Sequence, residues 1–199
     1  MQNTIVDFLR HGEPVGGRRF RGSGVDDALS ETGWRQMWKA VGDQTPWTRV
    51  LCSPLQRCEA FARALAERHR LPLRVDDRFR EVGFGVWEGF SPADIERDDP
   101  EAYAAFYRDP LRNRPQGSET LESFSARVAQ ALEQAFAEAS GEHVLVVAHA
   151  GVIRAVLGVT MQSDPIAWYR TRIDNAGVTR LRRDAYGTRL EFHNRRSLE

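Results

Sequence analysis

The amino-acid sequence predicts an α/β fold, a three-layer α/β/α sandwich around a mostly parallel central sheet. Three observations carry this expectation. Short apolar runs of strand length alternate with longer stretches of helical periodicity, the pattern of βαβ units. The run Val144-Leu145-Val146-Val147-Ala148 is apolar throughout, as in a central strand covered by helices on both faces. The chain of 199 residues, 41% hydrophobic and 28% charged, is long enough for one well-filled core and short for two, so one domain over 1–199 is expected.

Each element follows in order. Ile5-Val6-Asp7-Phe8-Leu9 reads as a short buried strand that ends in Arg10-His11-Gly12, with Gly12 permitting a sharp turn. Residues 15–29, rich in Gly, Arg and Asp, read as a loop. Ser30 to about Val41 has helical spacing, with Trp34, Met37, Trp38 and Val41 on one face. Arg49-Val50-Leu51-Cys52 is a second strand. Ser53-Pro54-Leu55-Gln56 has the residues of a helix start, with Ser as cap and Pro at the first position, and that helix runs to about Arg70. Leu73-Arg74-Val75 is a third strand. Ser91-Pro92-Ala93-Asp94 repeats the Ser-Pro start, residues 101–107 are helical, and Thr120 to Ala139 is a long amphipathic helix. The run 144–148 ends at His149-Ala150-Gly151, and a helix follows to about Leu157. Residues 169–173, 177–182 and 189–193 are expected as strands on the far side of the sheet, with Tyr186-Gly187 turning the last pair.

Formal net charge is zero, which gives no argument for a nucleic-acid or membrane partner. Lys39 is the only lysine, so the basic residues are otherwise all arginine; the general bias reads as codon usage. No basic, apolar leader and no apolar run of membrane length occur, so a cytoplasmic protein is expected. Cys52 and Cys58 are too few for a disulfide framework and read as buried thiols. Leu198-Glu199 has the look of a cloning remnant and carries no argument. His69, His143 and His193 read as structural.

Two strands end alike, in Arg10-His11-Gly12 and in His149-Ala150-Gly151. In a parallel sheet both ends lie on one edge, where ligands bind. The strand ending at Cys52 delivers a helix start to the same edge, and helix N-termini attract anions. Arg57, just inside that helix, can reach the same place. Arg10, Arg57, His11 and His149 would then form a cationic cup for a phosphate dianion. The histidine pair could instead bind a metal, but no third His or Cys stands at ligand spacing, and no metal or other cofactor is expected.

Four blocks make the resemblance specific: Leu9-Arg10-His11-Gly12-Glu13; Ser53-Pro54-Leu55-Gln56-Arg57; Arg80-Glu81 with Phe84-Gly85-Val86-Trp87-Glu88-Gly89; and His149-Ala150-Gly151-Val152. In this order they resemble the histidine phosphatase superfamily, in its phosphoglycerate mutase-like branch. That resemblance implies His11 as the phosphorylated nucleophile and Glu81 as general acid and base. Arg10, Arg57 and His149 would hold the phosphoryl group. Within the branch the chain is most similar to the α-ribazole-5′-phosphate phosphatases of cobalamin nucleotide-loop assembly, through Arg21-Gly22-Ser23, Asp26-Asp27-Ala28-Leu29 and Pro115-Gln116-Gly117-Ser118-Glu119. Many relatives carry asparagine where this chain has Gly17, so Arg18 or Arg21, beside Gly22, is expected to contact substrate instead. The longer insertion usual in mutases is missing. The expected partner is a small phosphate ester, with the protein a monomer or homodimer. A mutase-like enzyme, a phosphatase of another sugar phosphate and a binding module on an inactive scaffold are the alternatives; the intact set of five residues disfavours the last.

For the chemistry, His11 must be neutral at the attacking nitrogen, with its other nitrogen held by a backbone carbonyl. The arginines and His149 would stabilise charge on the equatorial oxygens.

Overall fold

The computed structural model describes residues 3–43 and 45–198; Met1, Gln2, Gln44 and Glu199 lie outside the described residues. Six strands form one sheet: β1 (Thr4–Arg10), β2 (Arg49–Cys52), β3 (Leu73–Val75), β4 (His143–Ala148), β5 (Val178–Asp184) and β6 (Gly187–Arg195). Their order is β3-β2-β4-β1-β5-β6. The first four are mutually parallel, whereas β5 runs antiparallel to β1 and β6 antiparallel to β5. Among the described residues, seven α-helices accompany them: α1 (Glu31–Val41), α2 (Gln56–His69), α3 (Pro92–Asp98), α4 (Pro100–Arg108), α5 (Leu121–Glu138), α6 (Ala150–Met161) and α7 (Pro165–Trp168).

The period-2 alternation of strand side chains sorts the core into two layers. Val6 and Phe8 of β1, with Val144 and Val146 of β4, pack against Phe124, Val128 and Leu132 of α5 and Val152 and Val156 of α6. Leu9 of β1, with Leu145 and Val147 of β4, packs on the other face against Met37 of α1 and Phe61 and Leu65 of α2. The unbroken apolar run of β4 is therefore explained by burial on both sides. A third, smaller cluster of Trp87, Ile95 and Phe106 with Phe20, Phe84 and Tyr103 lies where α3 and α4 fold over the sheet edge.

Local chemistry accounts for the helix starts. Ser30, Ser91 and Thr120 each cap a helix by accepting a backbone N–H, and Ser91 with Asp94 completes a capping box. The Ser53-Pro54 start is different. The α2 helix begins only at Gln56, after Leu55, which offers no side-chain cap. Ser53 instead continues the sheet, its N–H donating to the Val147 carbonyl at 3.0 Å, and its hydroxyl meets His149. Residues 169–173 do not form the expected strand; they are a turn and an irregular segment. The carbonyls of Thr171 and Ile173 are taken by the Arg154 and Arg10 side chains rather than by a ladder. The α6 helix runs to Met161, beyond the expected Leu157. Gly12 is needed for close approach rather than for a turn: a Cβ there would lie 2.2 Å from the Gly33 carbonyl oxygen at the start of α1.

Asp7 is the buried charge of the sheet, with no exposure. Its carboxylate accepts from Arg180 Nε at 2.7 Å, His143 Nε2 at 2.8 Å and Trp47 Nε1 at 2.9 Å. Burial pushes the Asp7 carboxyl up, but the bonds from His143 and Arg180 outweigh it and hold it below the usual 3.8. A depressed folded value means the contribution to stability is fully present above the unfolded value and is lost as pH falls through the folded one. Asp7→Ala is expected to cost about 3 kcal/mol at neutral pH, by leaving Arg180 and His143 facing an apolar wall. Denaturant melts of the two proteins should differ less as pH drops below about 4; a pH-independent difference would remove the ionic account.

Candidate active site

The parallel register of β1 and β4 builds the site. Arg10 pairs with Ala148, so the next residues of both strands, His11 and His149, emerge side by side. The His11 N–H donates to the Ala148 carbonyl at 3.0 Å, and the two imidazole centroids are 5.2 Å apart. Beside them Cys52 of β2 pairs with Val147, which places Ser53 next to His149. The three strand ends open on a cavity of about 720 Å³ lined by Arg10, His11, Arg57 and Glu81.

His11 is 6% exposed, and its Nδ1 lies 2.7 Å from the Gly12 carbonyl oxygen. A carbonyl only accepts, so Nδ1 carries the proton and Nε2 keeps its lone pair. Burial, then the charges of Arg10 and Arg57, hold His11 well below the ordinary 6.5. His149 is fully buried and held well below the same value by burial and by Arg57. Its Nε2 meets the Ser53 hydroxyl at 2.7 Å, and the Cys58 Sγ stands 3.5 Å from the same nitrogen. Both imidazoles are therefore neutral at neutral pH.

The two arginines of the cup are tethered, and each is left with a free donor. Arg57, 1% exposed, donates from Nη1 to Val25 O at 2.8 Å and from Nη2 to Gly22 O at 2.9 Å. Arg10 donates from Nη1 to Ile173 O at 2.6 Å, and burial pulls it down to about 10, leaving it charged. The Nε atoms of both arginines are buried without a hydrogen-bond partner. Unpartnered guanidinium donors of this kind, next to neutral imidazoles, suit an oxyanion.

Glu81 lies between the 3-10 turns at Asp77–Phe79 and Gly85–Trp87. Its carboxylate accepts from the Val82 N–H at 2.9 Å and from the Gly151 N–H at 3.1 Å, in the first turn of α6. A Cβ at Gly151 would come within 2.2 Å of Glu81 Oε1, so the glycine makes room for the carboxylate.

The loop residues divide. Arg18 is exposed, lines the cavity and makes no hydrogen bond or ion pair among the described residues. Arg21 also lines the cavity, but its guanidinium is engaged by Asp27 at 2.8 Å and by the carbonyls of Val15 and Gly17. It holds the loop together. Gly22 offers its carbonyl to Arg57, and a Cβ there would strike Glu88 Oε1 at 1.9 Å. Glu88 in turn accepts from the backbone N–H groups of Ser23, Gly24 and Phe84, tying the loop to the Phe84-Gly89 block. Gly17 carries no side chain toward the site, and its carbonyl serves Arg21.

Sequence reasoning missed the far wall. Tyr107 of α4, Arg154 of α6 and Tyr169 also line the cavity. Arg154 donates from Nε to Thr171 O at 3.1 Å and lies 5.5 Å from the Tyr169 ring centroid. Burial, reinforced by Tyr103, pushes Tyr107 up to about 12, so its phenol stays protonated. No motif marks these residues; only the spacing of Arg154 one turn after Ala150 places it on the cavity side of α6. Among the described residues, no group of three or more His, Cys, Asp or Glu is placed to hold a metal ion, and no helix is long and apolar enough to cross a membrane.

Comparison with known proteins bears on this geometry. The family model of the histidine phosphatase superfamily (branch 1) matches residues 6–196. A glucosyl-3-phosphoglycerate phosphatase of Mycobacterium tuberculosis is 33% identical over 181 residues, covering 84% of this chain and 80% of its own. The solved structure of that mycobacterial phosphatase superposes with a TM-score of 0.83 at 29% identity, covering 97% of this chain and 99% of the other. An adenosylcobalamin/α-ribazole phosphatase of Salmonella typhimurium is 28% identical over 129 residues, 65% of this chain and 64% of its own. A bifunctional protein of Mycobacterium tuberculosis is 32% identical over 88% of this chain. The chain spans only 49% of that relative's length.

Proposed function

Because the chain belongs to the histidine phosphatase superfamily, we propose that it hydrolyses phosphomonoesters through a phosphohistidine on His11. One observation carries the proposal: His11 is neutral and has Nδ1 bound to the Gly12 carbonyl, so Nε2 is the nitrogen left to attack. In the first step the Nε2 lone pair forms the P–N bond and the bond from phosphorus to the ester oxygen breaks. Glu81 gives its proton to the departing oxygen. The ring becomes cationic as it is phosphorylated, and the Gly12 carbonyl accepts the now more acidic Nδ1–H. Arg10 and Arg57 donate to the equatorial oxygens as charge spreads over them. His149, expected to join them, does not line the cavity and is held behind His11 with its Nε2 on the Ser53 hydroxyl. In the second step Glu81 takes a proton from water, the water oxygen bonds to phosphorus, and the P–N bond breaks to release inorganic phosphate. Fixed cations supply the positive charge throughout.

The substrate we propose is α-ribazole 5′-phosphate. Its support is the block resemblance, the relative of that name, and a cavity lined by the aromatic residues Phe20, Tyr107 and Tyr169, which suit an aromatic base, and by uncommitted Arg18, which suits a ribose oxygen. A second reading rests on Arg154, whose Nη groups carry no hydrogen bond among the described residues. A leaving group bearing a carboxylate would suit it, as in the substrate named for the glucosyl-3-phosphoglycerate phosphatase relative.

Initial rates in excess chelator decide between them. The expected result is that α-ribazole 5′-phosphate is cleaved with kcat/KM at least about tenfold above 3-phosphoglycerate, a difference of roughly 1.4 kcal/mol in transition-state binding. Arg18→Ala should narrow that gap. Faster turnover of glucosyl-3-phosphoglycerate would select the Arg154 reading. Interconversion of 2- and 3-phosphoglycerate faster than any hydrolysis would make the protein a mutase, and loss of all activity on chelation would end the metal-free mechanism.

A further inference from the structure

Glu81 sits in a stretch with neither helix nor ladder to fix it. Between the 3-10 turns, residues 80–83 have no regular secondary structure and Phe84 makes only an isolated bridge to Ser118, so their backbone groups need partners from elsewhere. One ion pair on α5 and its approach serves the Arg80 and Glu81 carbonyls and the Gly83 N–H, while Arg114 takes the Gly83 carbonyl and Glu88 the Phe84 N–H. Arg127 Nη1 donates to Arg78 O at 2.8 Å and to Arg80 O at 2.7 Å, and Nη2 donates to Glu81 O at 3.2 Å. The same guanidinium meets Glu119 in a two-point fork, Nε to Oε1 at 2.8 Å and Nη2 to Oε2 at 2.7 Å. The Gly83 N–H lies 3.5 Å from Glu119 Oε2. The Arg127 guanidinium also stacks 4.7 Å from the Phe124 ring centroid, which fixes its plane.

The consequence is a division of labour around Glu81. Its carboxylate is anchored on the α6 side by the Gly151 N–H. Its main chain is anchored on the α5 side by Arg127. Lysine could not replace this arrangement, because a single ammonium lacks the planar fork that reaches three carbonyls and a carboxylate at once. Arg127 and Glu119 do not line the main cavity. Neither can touch the phosphoryl group.

We propose that Arg127, braced by Glu119, is a positioning residue that holds Glu81 at the distance proton transfer to the leaving oxygen requires. The proposal rests on the reading of Glu81 as general acid. A loop relaxed by even about 1 Å should lose proton transfer while phosphoryl binding, built by β1, β4 and α2, persists.

The test compares an alkyl phosphate, whose leaving oxygen must be protonated, with p-nitrophenyl phosphate, whose leaving group is stable as an anion. Arg127→Met is expected to lower kcat for the alkyl ester about 10- to 100-fold, with kcat for the aryl ester within about threefold and both KM values nearly unchanged. In the Glu81→Gln background the same change should have no further effect, because a residue acting through another is silent once that one is gone. Glu119→Gln, which keeps the shape of the pair, is the second variant should Arg127→Met fold poorly, and it should give a weaker selective loss. If Glu81→Gln itself slows both esters alike, the acid reading of Glu81 fails and the inference falls with it. If Glu81→Gln is selective but Arg127→Met and Glu119→Gln slow both esters alike, or persist in the Glu81→Gln background, Arg127 is structural only and the inference alone is overturned.

Discussion

His11→Ala is expected to lower kcat/KM for every phosphate ester by on the order of 10⁴-fold or more, the largest loss any single change should produce. The reason is that, among the described residues, no other neutral imidazole lines the cavity. His149 has Nε2 engaged by the Ser53 hydroxyl and is buried behind His11 with no exposure. Rapid quenching of the wild type with labelled substrate should trap acid-labile, base-stable label, and the variant should trap none. Label of equal yield on His11→Ala would remove the assignment. The protonation state can be read separately. Burial and the flanking Arg10 and Arg57 hold His11 below its ordinary 6.5, so its Nε2 should stay unprotonated as pH falls through 6.5 in the ligand-free protein. A nitrogen chemical-shift titration centred near 6.5 would contradict this.

Arg57→Ala should come next, costing roughly 10²- to 10³-fold in kcat/KM. Unlike Glu81→Gln, it should impair alkyl and aryl esters alike, since in the proposed reaction the guanidinium serves the phosphoryl oxygens and not the leaving group. It should also lower the melting temperature. Arg57 is among the largest fully buried side chains, and its removal leaves the Val25 and Gly22 carbonyls without their donor. Inorganic phosphate should raise the melting temperature of the wild type but raise that of the variant much less, because a ligand stabilises only what it binds. An unaltered phosphate-induced shift would show that Arg57 lies outside the anion site.

The strands and the long helices were legible because burial on two faces leaves unbroken apolar runs and burial on one leaves a stripe. Val144 to Ala148 and the face from Leu121 to Phe136 carry those signatures plainly. The convergence of Arg10, His11, Arg57 and His149 was legible for a topological reason: parallel strands present their C-terminal ends to one edge. Glu81, which ends no strand, was assigned only through the block resemblance. What remained hidden depends on three-dimensional partners. Ser53 has the composition of a helix cap, yet its N–H belongs to the ladder with Val147 and its hydroxyl to His149. Residues 169–173 have strand-like composition, but arginine side chains claim their carbonyls. Arg21 looked like a substrate ligand from its place in the loop; its donors go to Asp27 and to carbonyls of the loop itself. Arg127 and Glu119 are eight residues apart and read as ordinary surface charges until the loop they hold is seen.

The aromatic cluster around Trp87 and Phe106 has a consequence for how this protein is altered. Its rings pack on one another, from Phe20, Phe84, Tyr103 and the α3–α4 pair, and Phe84 and Tyr169 join them to the core that α5 and α6 cover. The wall proposed to meet the leaving group is thus coupled to the anion cup, because Phe84 and Glu88 hold the loop whose Gly22 carbonyl takes Arg57. Randomising Tyr107, which lines the cavity from α4 and has no part in that loop, should alter ester choice with the anion cup intact, whereas changes at Phe84 or Glu88 should reach Arg57 as well.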